Sequence, residues 1–157
     1  MSEKNRGEVV FVSPEVKTEE RLKEVVGLIK SGWPDDYELQ PHEVLLAEQS
    51  VDDFRNGKMR KGRMEDRLNA LNPQQLTRVV RRFVLSSCGL GKGNFAEGLN
   101  EYEKNEEERN FNYALITILF LQKNKVGEAW RVVNKITESD LQEKVRAIIE
   151  KSTIKTN

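Results

Sequence analysis

NPQQLTRVVRRFVLSSCG, residues 72–89, decides the fold class. Asn72 stands where an N-cap belongs, Pro73 suits a first helical position, and Gln75 is placed to reach back to the cap backbone. Leu76, Val79, Val80, Phe83 and Val84 follow at helical spacing, and Gly89 is the expected stop. A strand needs alternation of period two, and none occurs here or anywhere after residue 13.

The same grammar repeats in both directions. Thr18 followed by Glu19 and Glu20 predicts a helix start, Leu22, Val25, Val26 and Ile29 share a face, and Gly32 and Pro34 end the helix. A second helix opens at Pro41 and runs to Phe54, with Val44, Ala47 and Val51 in register and Gly57 behind it. Met64, Leu68 and Leu71 mark a short helix over 64–71; Phe95, Leu99 and Tyr102 mark another, loosened by Gly98. Residues 106–123 are apolar all round in their second half, which predicts the central buried helix. Val126, Ala129, Trp130, Val133 and Ile136 form the next helix. Ser139 to Gln142 reads as a capping box for a last helix that buries Leu141, Val145, Ile148 and Ile149. The expectation is an all-α fold, a compact bundle of seven or eight short helices in one domain over residues 18–152. Residues 1–17 read as an extended or disordered tail, with EVVFVSPEV at 8–16 as a short edge strand in the other reading, and 153–157 as a frayed end.

YALITILFLQKNKVGEAWRVVNKI, residues 113–136, resembles one helical hairpin of the tetratricopeptide or pentatricopeptide kind. The resemblance rests on an apolar first helix, a short polar turn and the GEAW that opens the second. It does not recur at the repeat period, so it implies a local hairpin and no family function.

Length and composition bound the function classes. A chain of 157 residues suits one domain that needs no disulfide or metal to fold. With 26 basic and 26 acidic residues the net charge is zero, which argues against bulk nucleic-acid coating or membrane adhesion but leaves room for a local patch. The lone cysteine, Cys88, forms no intrachain disulfide, and the polar start MSEKNRGE lacks a signal-peptide core, so a reducing, cytoplasmic setting is expected. The apolar run YALITILFL is far shorter than the roughly 20 residues of a membrane span.

The charge is zoned. From Arg55 to Arg82, nine basic residues (Arg55, Lys58, Arg60, Lys61, Arg63, Arg67, Arg78, Arg81 and Arg82) face only Glu65 and Asp66. RNGKMRKGR, residues 55–63, combines cations with two glycines, the ingredients of a phosphate-holding loop. Arg78, Arg81 and Arg82 share one helix face. Acid-rich blocks flank the region: seven acids in 35–53 and six in 97–109. The cations are therefore solvated or paired within the fold, or they meet an acidic protein, or they hold nucleic acid. Acid-to-base pairing between copies would make a homo-oligomer. The stretch lacks aromatics interleaved for base stacking. Helix 63–71, the turn at Asn72-Pro73 and the helix from 73 outline a helix-turn-helix whose Gln74, Gln75, Thr77 and Arg78 are base-reading residue types.

Other motifs fall short of chemistry. SSCGLGKGNF, residues 86–95, follows a helix rather than a strand and lacks the Lys-Ser/Thr of a Walker loop, so it reads as an interhelical loop. Nothing places His42, the single histidine, beside Cys88 as a base, and no loop pattern or Cys/His set points to a metal or cofactor. Trp130 falls in the core register; Trp33, in the turn SGWPDD, either packs or is exposed as a contact anchor. The function expected is non-enzymatic: a protein-binding adaptor, regulator or assembly factor with an acidic partner, using Trp33 and the basic residues. The alternative is a nucleic-acid-binding regulator using 55–82. An adaptor calls for an exposed apolar groove beside the charges.

Overall fold

In the computed structural model, which describes residues 14–32 and 41–156, eight α-helices follow one another without a strand among the described residues. They are α1 (Pro14–Ser31), α2 (His42–Arg55), α3 (Lys61–Asn69), α4 (Pro73–Gly89), α5 (Gly93–Leu99), α6 (Glu106–Gln122), α7 (Val126–Val133) and α8 (Ser139–Thr156). A 3₁₀ turn, Asn100–Tyr102, extends α5. Trp33 and the segment 8–13 lie outside the described residues.

Helix α6 is the hub. Phe111, Tyr113, Ala114, Leu115, Ile116, Ile118 and Phe120 are all buried, and α1, α4, α5, α7 and α8 pack around them. A helix enclosed on every side has to satisfy its polar residues internally. Asn112 donates to Asn100 Oδ1 at 2.8 Å, and Asn100 donates to the Arg109 carbonyl at 2.9 Å. Asn110 bonds Thr137, and the Thr117 hydroxyl returns to the Tyr113 carbonyl. Helices α6 and α7 form the hairpin that the 113–136 pattern suggests.

The predicted capping box on α4 is formed: Asn72 Oδ1 accepts from the Gln75 amide at 2.8 Å, and Gln75 Oε1 accepts from the Asn72 amide at 3.1 Å. Three helices end in the same way, with a left-handed residue one place beyond the cap. These residues are Gly57, Gly91 and Asn124. In each case the left-handed residue and its successor donate back into the last turn, as Gly57 and Lys58 do to Phe54 and Asp53.

Several boundaries differ from the sequence reading. Helix α1 starts at Pro14, so Thr18 lies inside it and is buried rather than capping it. Pro41 is the N-cap of α2, one place before the helix. Helix α3 begins at Lys61, three residues early, and α4 passes through Gly89 to turn at Gly91. The cap of α8 is Glu138, whose Oε1 accepts from the Leu141 amide at 3.1 Å. Gln142 is drawn instead to the end of α7, donating to the Ile136 carbonyl at 3.0 Å. Helix α8 continues to Thr156, so 153–156 extend it.

Gly93 opens α5 in direct contact with α6. A Cβ there would sit 2.4 Å from the far end of the buried Phe120 ring. Gly93→Ala is expected to lower unfolding free energy by about 1–3 kcal/mol through overpacking. Gly98→Ala on the same helix meets nothing within 4 Å, and is expected to raise it by up to about 1 kcal/mol. Urea unfolding of the two variants beside the parent chain checks both signs.

Candidate functional site: a groove beside the cationic turn

The structure divides the basic residues into two sets. Arg55, Arg81 and Arg82 are consumed by the fold. Arg55 closes the end of α2 onto α4, donating to Ser86 and Ser87 at 3.0 Å each and to Asp52 at 2.8 Å. Arg82 pairs with Glu48 of α2 at 2.7 Å. Both guanidiniums lie over the Phe83 ring. Arg81 turns the other way, to α6: it covers Phe111 at 4.2 Å, bonds Asn112 at 3.1 Å and pairs with Glu108 at 2.6 Å. Arg21 of α1 lies over the same ring and pairs with Glu107. The face expected to be shared by Arg78, Arg81 and Arg82 is therefore divided, with Arg81 paired to α6 and Arg82 to α2. Arg78 is half-buried and already engaged.

Lys58, Arg60, Lys61 and Arg63 form the second set. All four are exposed, and none makes an ion pair or side-chain hydrogen bond among the described residues. RNGKMRKGR is not one loop. Arg55 ends α2, residues 56–60 turn, Arg60 is the N-cap of α3, and Lys61 and Arg63 stand in its first turn. No acid shares that turn. Cations at a helix N-terminus oppose the dipole, at roughly 0.3–1 kcal/mol each when exposed. The half-buried Arg67 stands in the last turn, where a cation is favourable.

The helix-turn-helix outline corresponds to α3, the turn at Asn72 and α4. Helix α3 packs mainly on α2. Of the base-reading candidates, Gln75 is held in the capping box and Thr77 donates to Glu103 at 3.1 Å.

Beside the cationic turn runs a groove of about 470 Å³ between α3 and the α5–3₁₀ segment. Buried Met64 and Leu99 form its floor, and half-buried Phe54 and Phe95, with ring centroids 5.7 Å apart, form its apolar wall. Lys61 belongs to both the groove and the turn. Tyr102 donates to Glu65 at 2.6 Å across it. Burial, that bond, and the charges of Glu65 and Glu101 hold the phenol well above its ordinary pKa. The groove was hidden in the sequence because Phe54, Phe95 and Tyr102 all fall in helical register and read as core. The signal that marks it is Gly98, an exposed glycine inside a short helix with open space where a side chain would be.

Other places offer less. A cleft of about 270 Å³ among α1, α6 and α8 is lined by polar groups that answer one another: Lys17 and Arg21 pair with Glu107, the former at 3.3 Å, and the Thr137 hydroxyl donates to Glu106 at 2.5 Å. The Cys88 thiol is buried at the end of α4, and burial pushes its pKa up to about 12 against the pull of Lys123, so it is a poor nucleophile. Among the described residues no three metal-ligating side chains gather, and no helix is long and apolar enough to cross a membrane. Comparison with protein-family models, characterised proteins and solved structures returns no match to this chain.

The wall at α5 is held by Glu97, a buried carboxylate bonded by Arg131 and Lys135, each at 2.5 Å. Burial pushes its pKa up, but the hydrogen bonds and charges of Arg131 and Lys135 outweigh this and leave it below the ordinary 4.5. A depressed carboxyl stabilises the fold above its unfolded pKa, and that stability is lost as pH falls through the folded pKa. Glu97→Gln is therefore expected to cost roughly 1–3 kcal/mol at neutral pH, given that both cations are partly exposed. Unfolding measured from pH 7 to 3 should show that difference shrinking below about pH 4.

Proposed function

We propose that the chain is a non-enzymatic protein-binding module, an adaptor, regulator or assembly factor, that receives an acidic partner on the turn 56–63 and in the adjoining groove. The observation that carries this reading is the first turn of α3. Three cations, Arg60, Lys61 and Arg63, stand at the positive end of a helix with no acid in its first turn to offset them, next to the half-buried apolar wall of Phe54 and Phe95. Such an arrangement weakens the fold locally. Departures from local rules that the fold does not require gather at functional places. The apolar wall contributes affinity and the cations contribute steering and orientation. A nucleic-acid role would draw on the same four cations. It is less supported, because no exposed aromatic is interleaved among them and the adjoining groove carries the acids Glu65 and Glu101.

Selection from a displayed random-peptide library against the full chain, followed by solution affinities, tests the reading. Enriched sequences are expected to carry acids beside aliphatic or aromatic residues. The variant Lys58→Ala, Arg60→Ala, Lys61→Ala, Arg63→Ala is expected to bind them about tenfold or more weakly, as the loss of several exposed pairs implies. Peptides without acidic bias, or equal binding by the variant, would overturn it. A parallel titration with duplex DNA and single-stranded RNA at about 50 and 200 mM salt is expected to show no micromolar binding. Tight, steeply salt-dependent binding that the variant loses would favour the nucleic-acid role.

A further inference from the structure

We propose that α1 is a salt-sensitive strap, which opens from α6 and α8 as one unit while the rest of the bundle stays folded.

Several features of α1 mark it as a helix seated less firmly than its neighbours. Among its described side chains only Val25 and Thr18 are fully buried, whereas α4, one residue shorter, buries seven. Leu22, Leu28 and Ile29 are half-buried. The Thr18 hydroxyl is buried without a hydrogen-bond partner among the described residues, and opening would return it to water. The cleft of about 270 Å³ that Lys17, Thr18 and Arg21 share with Leu141 of α8 leaves the seat of α1 incompletely packed. Gly27 stands in the helix interior, exposed, with nothing within 4 Å of where a Cβ would be. It weakens the helix and serves no close approach.

Charge supplies much of what holds α1 down. Lys17 and Arg21 pair with Glu107, Arg21 lies 3.9 Å from Glu108, and Glu19 pairs with Lys144 of α8 at 3.0 Å. Lys17, Glu19 and Glu107 are each more than half exposed, so dissolved ions reach these pairs and screen them. Opening wets one flank of α6, but it does not strip the hub. Arg81 still covers Phe111 at 4.2 Å once Arg21 leaves, and α4, α5, α7 and α8 stay packed on α6. Release of α1 therefore costs less than global unfolding, which makes it a separate opening set by ionic strength.

Native-state amide hydrogen exchange on the full chain at about 50 and 500 mM sodium chloride tests this. The amides of Val25, Val26, Leu28 and Ile29 are expected to share one opening, with protection at least about tenfold below that of Leu115, Ile116 and Ile118 in α6. Raising the salt should lower the protection of α1 by about threefold to tenfold, as screening of several exposed pairs implies. Lys17→Gln with Arg21→Gln should remove most of that response. Gly27→Ala should raise the protection of α1 by about fivefold. Amides of α1 that exchange at the same protection as those of α6, or an opening that salt leaves unchanged, would overturn the proposal.

Discussion

The structure depends on enclosing α6. A helix with apolar residues on every side cannot lie on a surface, so five helices have to cover it, and their own polar residues must fit around it. Arg81 shows how this is done. From α4 it covers Phe111, bonds Asn112 and pairs with Glu108, while Arg21 approaches the same ring from α1. One aromatic residue of α6 thereby joins three helices. Through Asn112 the connection continues to Asn100, which bonds the backbone at Arg109. The ordering of α1, α4 and the 3₁₀ turn follows from keeping α6 dry and its asparagines satisfied.

Beyond this centre the second layer is looser. Helices α2 and α3 reach the bundle mainly through α4, where Arg55 and Arg82 flank Phe83. Because α3 leans on α2, the groove between α3 and α5 stays open, with Gly98 contributing no side chain to close it. The functional proposal grows from this asymmetry. Cations that face the bundle have partners supplied by the fold, whereas Lys58, Arg60, Lys61 and Arg63 lie at its edge and have none among the described residues. The same residue types thus serve two purposes according to which helix face they occupy.

The sequence made the helices legible, because periodicity and caps are local. Asn72 to Gln75 and the apolar run of α6 read correctly for that reason. Boundaries slipped where two neighbouring residues offered the same chemistry. Glu138 and Ser139 can both cap α8, and Gly89 and Gly91 can both end α4; packing chose between them. The destination of each arginine was not legible, since Arg81 and Arg82 are adjacent yet turn to α6 and α2. Nor was the groove, which depends on Phe54 and Phe95 meeting across 41 residues of chain. The zoning of charge was visible; which charges remain unpaired required the fold.

Arg55, Arg81 and Arg82 hold the fold, while Lys58, Arg60, Lys61 and Arg63 stand apart from it. Chemical unfolding of Arg81→Ala beside the fourfold alanine variant at 58, 60, 61 and 63 tests this most directly. Arg81→Ala should lose about 2–4 kcal/mol, by removing charge-assisted bonds and leaving the Asn112 carbonyl oxygen without its donor and Glu108 with only Arg21, at 3.9 Å, among the described residues. The fourfold variant should be as stable as the parent chain or slightly more so, because removing cations from the start of α3 relieves their conflict with the helix dipole. A fourfold variant that loses stability on the scale of Arg81→Ala would show that these cations are structural, and would contradict the account.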